Sequence, residues 1–409
     1  MARAMKDSGI EWIGEIPEGW MVSKLQYFID CYDGRRVPVD AVERTPGPYP
    51  YWGAGSIMDY VNDYLFDEEL LLLGEDGAPF FDYTRPVAFY SNEKIWVNNH
   101  IHVLKPHADI CIKYLLHYLN NVDYKSYING SILNKLTQSN MNKIALLLPP
   151  VSEQQIIADY LDTECAKIDA VIEQTRASIE EYKKLKQSVI TQAVTKGIRP
   201  GRKMKDSGVE WIDLIPETWK ECRIKNVIFP VQRPVNDNDD IITCFRDGVV
   251  TLRKNRREDG FTVSFTENGY QGVEPGDLVI HGMDAFAGAI GCSDSRGKTT
   301  PVVHVCKTSG NNRYFMYYLR CMAYGNILMD LSNGVRIRSS DFRNFAKLGV
   351  FKAVVPPESE QAEIVEYLDW ITVRIDELAH EKEHLLDELE SYKKSLIYEY
   401  VTGKKEVPV

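Results

Sequence analysis

Residues 149–162 read PPVSEQQIIADYLD, and residues 356–369 read PPESEQAEIVEYLD. The two stretches lie 207 residues apart. The correspondence runs without a gap through Ile168-Asp169 against Ile375-Asp376 and on to Ser188 against Ser395. Each opens with a Pro-Pro pair, which stops a preceding element, and continues with Ser152 or Ser359, the expected N-cap of a helix. Upstream of each lies a second duplicated stretch. Residues 5–20 read MKDSGIEWIGEIPEGW and residues 204–219 read MKDSGVEWIDLIPETW, matching Trp12 with Trp211, Pro17 with Pro216 and Trp20 with Trp219 at an offset of 199. The intervening blocks, residues 26–148 and 225–355, therefore differ in length by eight residues, and they share little sequence. A repeat of this kind governs any reading of the fold. The plan is variable block, shared helix, variable block, shared helix.

The shared helices carry a seven-residue period. In the first copy Leu161, Ile168, Thr175, Tyr182 and Val189 form one seam, and Cys165, Ile172, Ile179 and Ala193 most of the other. In the second, Leu368, Ile375, Leu389 and Leu396 stand opposite Ala379, Leu386 and Tyr400. Such seams, with charges between them, predict coiled-coil packing. Lys186 and Lys393 fall on the seam and are expected to weaken it locally. Each helix of ~40 residues spans ~60 Å, and the economical way to cover both seams is to pack the helices on each other, antiparallel.

Charge follows the same plan. The 409 residues carry a net charge of −11 and a pI near 5.4, which on its face opposes binding to phosphate. Yet residues 358–404 hold 13 acidic and 5 basic side chains, whereas Arg246–Arg257 holds Arg246, Arg253, Lys254, Arg256 and Arg257 against Asp247 alone. A basic reading surface on an acidic spacer accounts for both. No apolar run reaches the ~18 residues of a membrane span, and the N-terminus lacks a secretion signal. The eight cysteines form no C-x-x-C pair, so a reducing, cytoplasmic location is expected.

With these residues in view, the chain resembles the specificity subunit of Type I restriction–modification enzymes. The Trp-Ile-x-x-Ile-Pro-x-x-Trp lead-ins at Trp12 and Trp211, the Pro-Pro-x-Ser-Glu-Gln entries at Pro149 and Pro356, and the Val-Thr helix ends at Val194-Thr195 and Val401-Thr402 carry the resemblance. It implies an α+β fold: target recognition domains at 1–150 and 200–356, shared coiled-coil helices at 151–199 and 357–409, and approximate internal twofold symmetry. It also implies a non-catalytic subunit that reads a bipartite, asymmetric duplex DNA target, with the coiled coil as ruler. The resemblance further implies docking of modification subunits, expected as two, and of restriction subunits. S-adenosylmethionine, ATP and Mg are then expected on those partners, with no cofactor or metal on this chain. Two readers on a rigid spacer suit half-sites about one helical turn apart.

Candidate DNA contacts in the first block are Arg35 and Arg36 in a turn, Tyr51 and Trp52 in an aromatic–glycine stretch, Asn98, Asn99 and His100, and Lys135 with Gln138. Arginine pairs with guanine, asparagine with adenine, and a carboxylate of the acidic turn Gly74–Ala78 would accept from cytosine N4. The same stretches also read as a solvated loop, an aromatic core cluster, a strand (WVNNHIHVL) and a structural turn. In the second block the basic cluster is Arg246, Arg253, Lys254, Asn255, Arg256 and Arg257. Lys298 and a strip of Arg336, Arg338 and Arg343 add to it.

Other chemistries fit poorly. His380-Glu-Lys-Glu-His384 has zinc-protease spacing but sits in the acidic coiled coil. Gly291 to Thr299 spaces its glycines five residues apart where a phosphate loop needs four. The Pro-Pro pairs lack the flanking residues of an adenine methyltransferase motif. A self-sufficient hydrolase or a protein-binding scaffold without DNA specificity are the alternatives.

Overall fold

The computed structural model describes residues 3–82, 84–128, 134–256, 267–329 and 344–408. The chain divides into two compact units, Met1–Ala177 with Glu383–Val409, and Ser178–Lys382. The described α-helices are α1 (Ile112–Leu119), α2 (Gln138–Met141), α3 (Val151–Lys196), α4 (Asn312–Tyr324), α5 (Ala346–Gly349) and α6 (Glu358–Val401). The unit boundaries fall inside α3 and α6, so each long helix contributes to both units.

In the first unit the duplicated lead-in folds as a hairpin of Met5–Asp7 against Glu15–Pro17. Met21–Lys24 then pairs with Ala145–Leu148, bringing the ends of the variable block together. Between them lies an antiparallel sheet in the order Ile29–Cys31, Ile101–Pro106, Leu70–Gly74, Ala88–Ser91, with α1 packed beside it. A second sheet, in the order Ile57–Val61, Pro46–Trp52, Lys94–Val97, Phe66–Asp67, packs on the first through a small apolar core in which Trp52, Phe66, Ile95 and Val97 meet Leu70, Leu72, Ile101 and Val103.

The second unit repeats the frame. Its lead-in hairpin is Met204–Val209 with Ile212–Pro216, and Lys220–Arg223 pairs with Lys352–Val355. Its sheet runs Ile228–Pro230, Val303–Thr308, Leu278–His281, Ile290–Cys292, with α4 where α1 stands in the first. The additional sheet is replaced by two strand pairs, Ile242–Cys244 with Val250–Leu252 and Gln271–Val273 with Gly297–Thr299. The two variable blocks thus share a framework and differ in what is mounted on it.

The duplicated motifs lock this framework together. Gln154 and Gln361, both buried, accept from the backbone N–H of Cys111 and Asn311 at the heads of α1 and α4, and donate to the carbonyls of Pro149 and Pro356. Glu153 receives Arg3 at 2.6 Å and the Trp20 indole N–H at 3.1 Å. Glu360 receives both terminal nitrogens of Arg202, and Trp219 is equally buried, its indole facing the same carboxylate. The Tyr114 hydroxyl lies 3.1 Å from Leu147 O and 3.2 Å from Val401 O, and the Tyr314 hydroxyl lies 3.0 Å from Val354 O and 3.2 Å from Val194 O. Each block is thereby tied to the end of a long helix.

Both long helices are capped two residues before the expected serines. Pro150 O and Pro357 O take the first helical bonds, from Glu153 and Gln154 and from Glu360 and Gln361, so Ser152 and Ser359 lie within the first turn. Proline suits this entry because its missing N–H would have no intrahelical partner anyway. Within the first unit α3 and α6 meet at Tyr160–Tyr400, Asp169–Lys393 and Arg176–Glu390, with numbers running in opposite directions, hence antiparallel. Within the second, Lys186 meets Asp376 and the residues after α3 continue with Arg199 on Glu363. The two seam lysines are therefore ion-paired at 2.6 Å, each with an aspartate of the facing helix, instead of simply opening the seam. The two pairs are equivalent under the 207-residue offset. No described helix is long and apolar enough to cross a membrane.

Candidate nucleic-acid interface

In the first unit, Ile101 pairs with Gly74 and His102 with Leu73. That register places the turns Gly74–Ala78 and Asn98–His100 at one end of the sheet, where Glu75 N–H and Asp76 N–H both approach His100 O. Arg36 reaches the same end, donating to Glu75 at 2.7 Å and to Ile101 O at 2.9 Å. Lys135 stands 3.5 Å from Glu75 and 3.8 Å from Asp76, and His100 Nδ1 stands 3.5 Å from Asp76. The fold thus brings together Arg36, Asn99, His100 and Lys135 around the acidic turn. Asn99, His100 and Lys135 face outward, whereas Arg36 is largely covered.

The remaining candidates of this unit are placed differently. Arg35 lies over the Phe66 ring at 4.4 Å and pairs with Glu68. Tyr51 is fully buried, its hydroxyl accepts from Val39 N–H, and Arg44 lies 4.3 Å above its ring. Trp52 packs against Phe89, with its Nε1 buried and unpartnered. Asn98 is buried and its Oδ1 accepts from Asn99 N–H. Tyr51 and Trp52 end a strand whose last three residues are all buried, so it is covered on both faces there, and Asn98 directly follows the buried strand end at Val97. Gln138 opens α2, exposed, behind the Thr137 cap.

A buried pair that composition did not single out supports this end of the sheet. His102, fully buried, has Nδ1 2.6 Å from Asp33 and Nε2 2.9 Å from Leu136 O. His102 stands within the run Ile101–Leu104, buried on both faces, and its apolar neighbours in sequence are the signal that marks it. Cys31, Asp33 and His102 offer ligand atoms within 4.8 Å of one another, the only such group among the described residues. Two ligands of one tetrahedral ion, each ~2.0–2.2 Å from it, stand about 3.3 Å apart. The 2.6 Å contact is instead a hydrogen bond, Arg36 lies 3.4 Å from the same carboxylate, and burial pushes the Cys31 thiol up to about 11. The trio fits a hydrogen-bonded support, not a metal centre.

Burial pushes the Asp33 carboxyl up, but the His102 hydrogen bond and charge, the Val103 N–H and Arg36 outweigh it, and the net shift is down. A depressed folded value means that Asp33 stabilises the fold above its unfolded value of about 3.9 and that this is lost as pH falls through the folded value. Thermal melts of Asp33→Asn between pH 2 and 7 are expected to show a flatter acid limb than the parent. An unchanged limb would remove Asp33 from the account.

In the second unit the basic cluster follows the hairpin of Ile242–Cys244 and Val250–Leu252. Arg246 pairs with Asp284 at 2.9 Å, Lys254 with Asp240, and Arg256 with Asp247. Arg253 Nε donates to Thr243, and Asn255 to Thr251. The ion pairs are exposed, and such pairs are worth ~0–1 kcal/mol, so phosphate or base acceptors can compete for the cations. Lys298 lies in the strand Gly297–Thr299, mostly covered, and pairs with Glu267. That strand setting is not the helix-leading loop of a phosphate cradle. Arg257, Arg336, Arg338 and Arg343 lie outside the described residues. On α6, His384 is exposed and faces Glu388 at 3.5 Å.

Residues 17–181 match the family described as Type I restriction modification DNA specificity domain. Over 163 residues the chain is 31% identical to a putative type I restriction enzyme specificity subunit, S.HindORF215P, of Haemophilus influenzae, covering 40% of this chain and 39% of that one. Over 219 residues it is 24% identical to the Type I restriction enzyme MjaVIII specificity subunit of Methanocaldococcus jannaschii, covering 52% and 50%. The chain thus spans about two fifths to a half of these relatives' length. A solved chain described under "Structural basis underlying complex assembly and conformational transition of the type I R-M system" shares the fold, with a TM-score of 0.65, at 14% identity and coverage of 95% of this chain and 99% of that one.

Proposed function

We propose, from the premise that residues 17–181 belong to the Type I restriction modification DNA specificity domains, that this chain is the sequence-reading, non-catalytic subunit of a Type I restriction–modification complex. Each unit reads one half of a bipartite duplex target. The halves differ because the loops mounted on the shared frame differ, so the target is asymmetric. Modification subunits, one for each copy of the shared motifs, and restriction subunits dock on the chain and carry the chemistry that needs S-adenosylmethionine, ATP and Mg.

The observation that carries this reading is the repeated frame with unrepeated loops. Both units keep one sheet order and one helix position, while the four-stranded second sheet of the first unit is replaced, among the described residues of the second, by two strand pairs. A protein-binding scaffold would have no use for that combination. A pair of readers needs it, because loops that meet different bases must be held by the same support. The exposed cations Lys135, Arg246, Lys254 and Arg256 supply phosphate or base contacts.

The test is a block exchange. Residues 26–148 are replaced by the corresponding block of a relative with a different target, and methylated adenines are mapped in a host that also carries the modification subunit. One half of the target is expected to change while the other is kept. An unchanged target, or loss of both halves, would overturn the reading.

A further inference from the structure

We infer that Asp247 and Phe245 hold Arg256 as a guanine-reading fork, which makes Asp247 a specificity-determining positioning residue of the second unit. The inference rests on the DNA-reading function proposed above.

The turn that carries Asp247 is fixed from several sides. Phe245 N–H donates to Val249 O and Gly248 N–H to Phe245 O, both at 2.9 Å. Gly248 has φ +89°, a conformation that favours glycine. Arg320, from α4, donates to Asp247 O at 2.7 Å and to the Tyr324 hydroxyl. A side chain at position 248 would collide with that guanidinium. The Asp247 carboxylate itself accepts from Val249 N–H at 3.2 Å.

Onto this fixed carboxylate Arg256 docks end-on. Nη1 lies 2.9 Å from Oδ1, Nη2 contacts Oδ2, and the guanidinium carbon stands 4.6 Å from the centre of the Phe245 ring. Burial pushes the Asp247 carboxyl up, but Arg256 and the Val249 N–H outweigh it, so the carboxylate stays charged. End-on docking leaves the Nε–H edge of the guanidinium as a second two-donor fork, and guanine presents O6 and N7 as the matching acceptors. The pair as a whole is neutral, and Asp247 opposes a phosphate approaching Arg256. Such a unit gains little from the DNA backbone and much from a base edge. Being already oriented, it also gives up little side-chain freedom on binding. Arg246 pairs with Asp284 and Lys254 with Asp240 in exposed ion pairs, which a phosphate can displace.

The experiment uses the full chain in complex with its modification subunit, on the target defined by methylated-adenine mapping. Arg256→Lys keeps the charge and removes the fork. Asp247→Asn keeps an acceptor for Val249 N–H and removes the carboxylate. Both are expected to lower discrimination against replacement of one G·C pair, in the half-site read by residues 178–382, by about tenfold or more. Affinity for a random duplex is expected to be kept in Arg256→Lys and kept or raised in Asp247→Asn, which removes the carboxylate that opposes phosphate. Full discrimination in both variants, with Arg256→Ala weakening binding to every duplex alike, would make Arg256 a phosphate contact and overturn the inference. Loss in Arg256→Lys with full discrimination in Asp247→Asn would overturn the role of Asp247. Should Asp247→Asn lower the melting temperature, Arg256→Lys and Arg256→Ala decide. If alanine at Arg246, Lys254 and Arg256 together changes binding to no duplex, this hairpin does not face DNA, and the functional reading of this unit fails instead.

Discussion

Glu360→Ala is expected to destabilise residues 178–382 by about 3–5 kcal/mol, the range for breaking a buried ion pair by removing one partner. The Glu360 side chain is 5% exposed and that of Arg202 is 17% exposed. Burial pushes the Glu360 carboxyl up, and the Arg202 guanidinium, the Trp219 indole and Arg199 more than reverse it. Alanine would leave the largely covered Arg202 without its hydrogen-bonded counter-charge, with only the weaker influence of Glu363 left. The equivalent change in the first unit, Glu153→Ala, is expected to cost less, about 1–3 kcal/mol for the charged hydrogen bonds it removes. Arg3 and Glu153 are 27% and 26% exposed, so water can take over part of the solvation. Denaturant unfolding of the two variants ranks them directly. An equal or larger loss in Glu153→Ala would show that burial does not govern the cost.

Trp219→Ala should be comparably severe, about 3–5 kcal/mol, because truncating a fully buried indole leaves a cavity as well as losing apolar contact. Trp20→Ala should do the same to the first unit. Phenylalanine keeps most of the apolar contact and removes the indole N–H that faces the glutamate in each unit. Trp20→Phe and Trp219→Phe are therefore each expected to cost about 1–3 kcal/mol, the worth of a hydrogen bond to a charged group. Calorimetric or denaturant melts of the two phenylalanine variants give that cost, and an unchanged stability in either would remove its indole N–H from the account.

The frame was legible in the sequence because it is written twice. The Pro-Pro entries, the heptad seams and the lead-in tryptophans all recur, and their partners in space are each other. The shared sheet of the variable blocks was not legible, since short antiparallel strands held by backbone bonds leave little trace in side-chain identity. One trace was present: Lys113-Tyr-Leu-Leu-His-Tyr-Leu119 against Arg313-Tyr-Phe-Met-Tyr-Tyr-Leu319, at an offset of 200. It records the Tyr114 and Tyr314 hydroxyls that reach the long helices. Among the candidate contacts, composition found the charged turns that converge at the sheet end and the basic hairpin. It also drew in Tyr51, Trp52 and Asn98, which are buried where the strands are covered on both faces. The supporting pair Asp33–His102 went unread because the two residues lie 69 apart in the chain and meet only through sheet register.

The second unit is one unbroken run of chain, residues 178–382, whereas the first is completed by residues 383–409. Leu396, Tyr400 and Val401 sit in the core of that first unit. On a ribosome the part translated first is therefore finished last. At about 5–20 residues per second, its open apolar face waits roughly 10–50 s for the final turns of α6. A stop codon just after position 382 would spare the unit made later and strand the one made earlier.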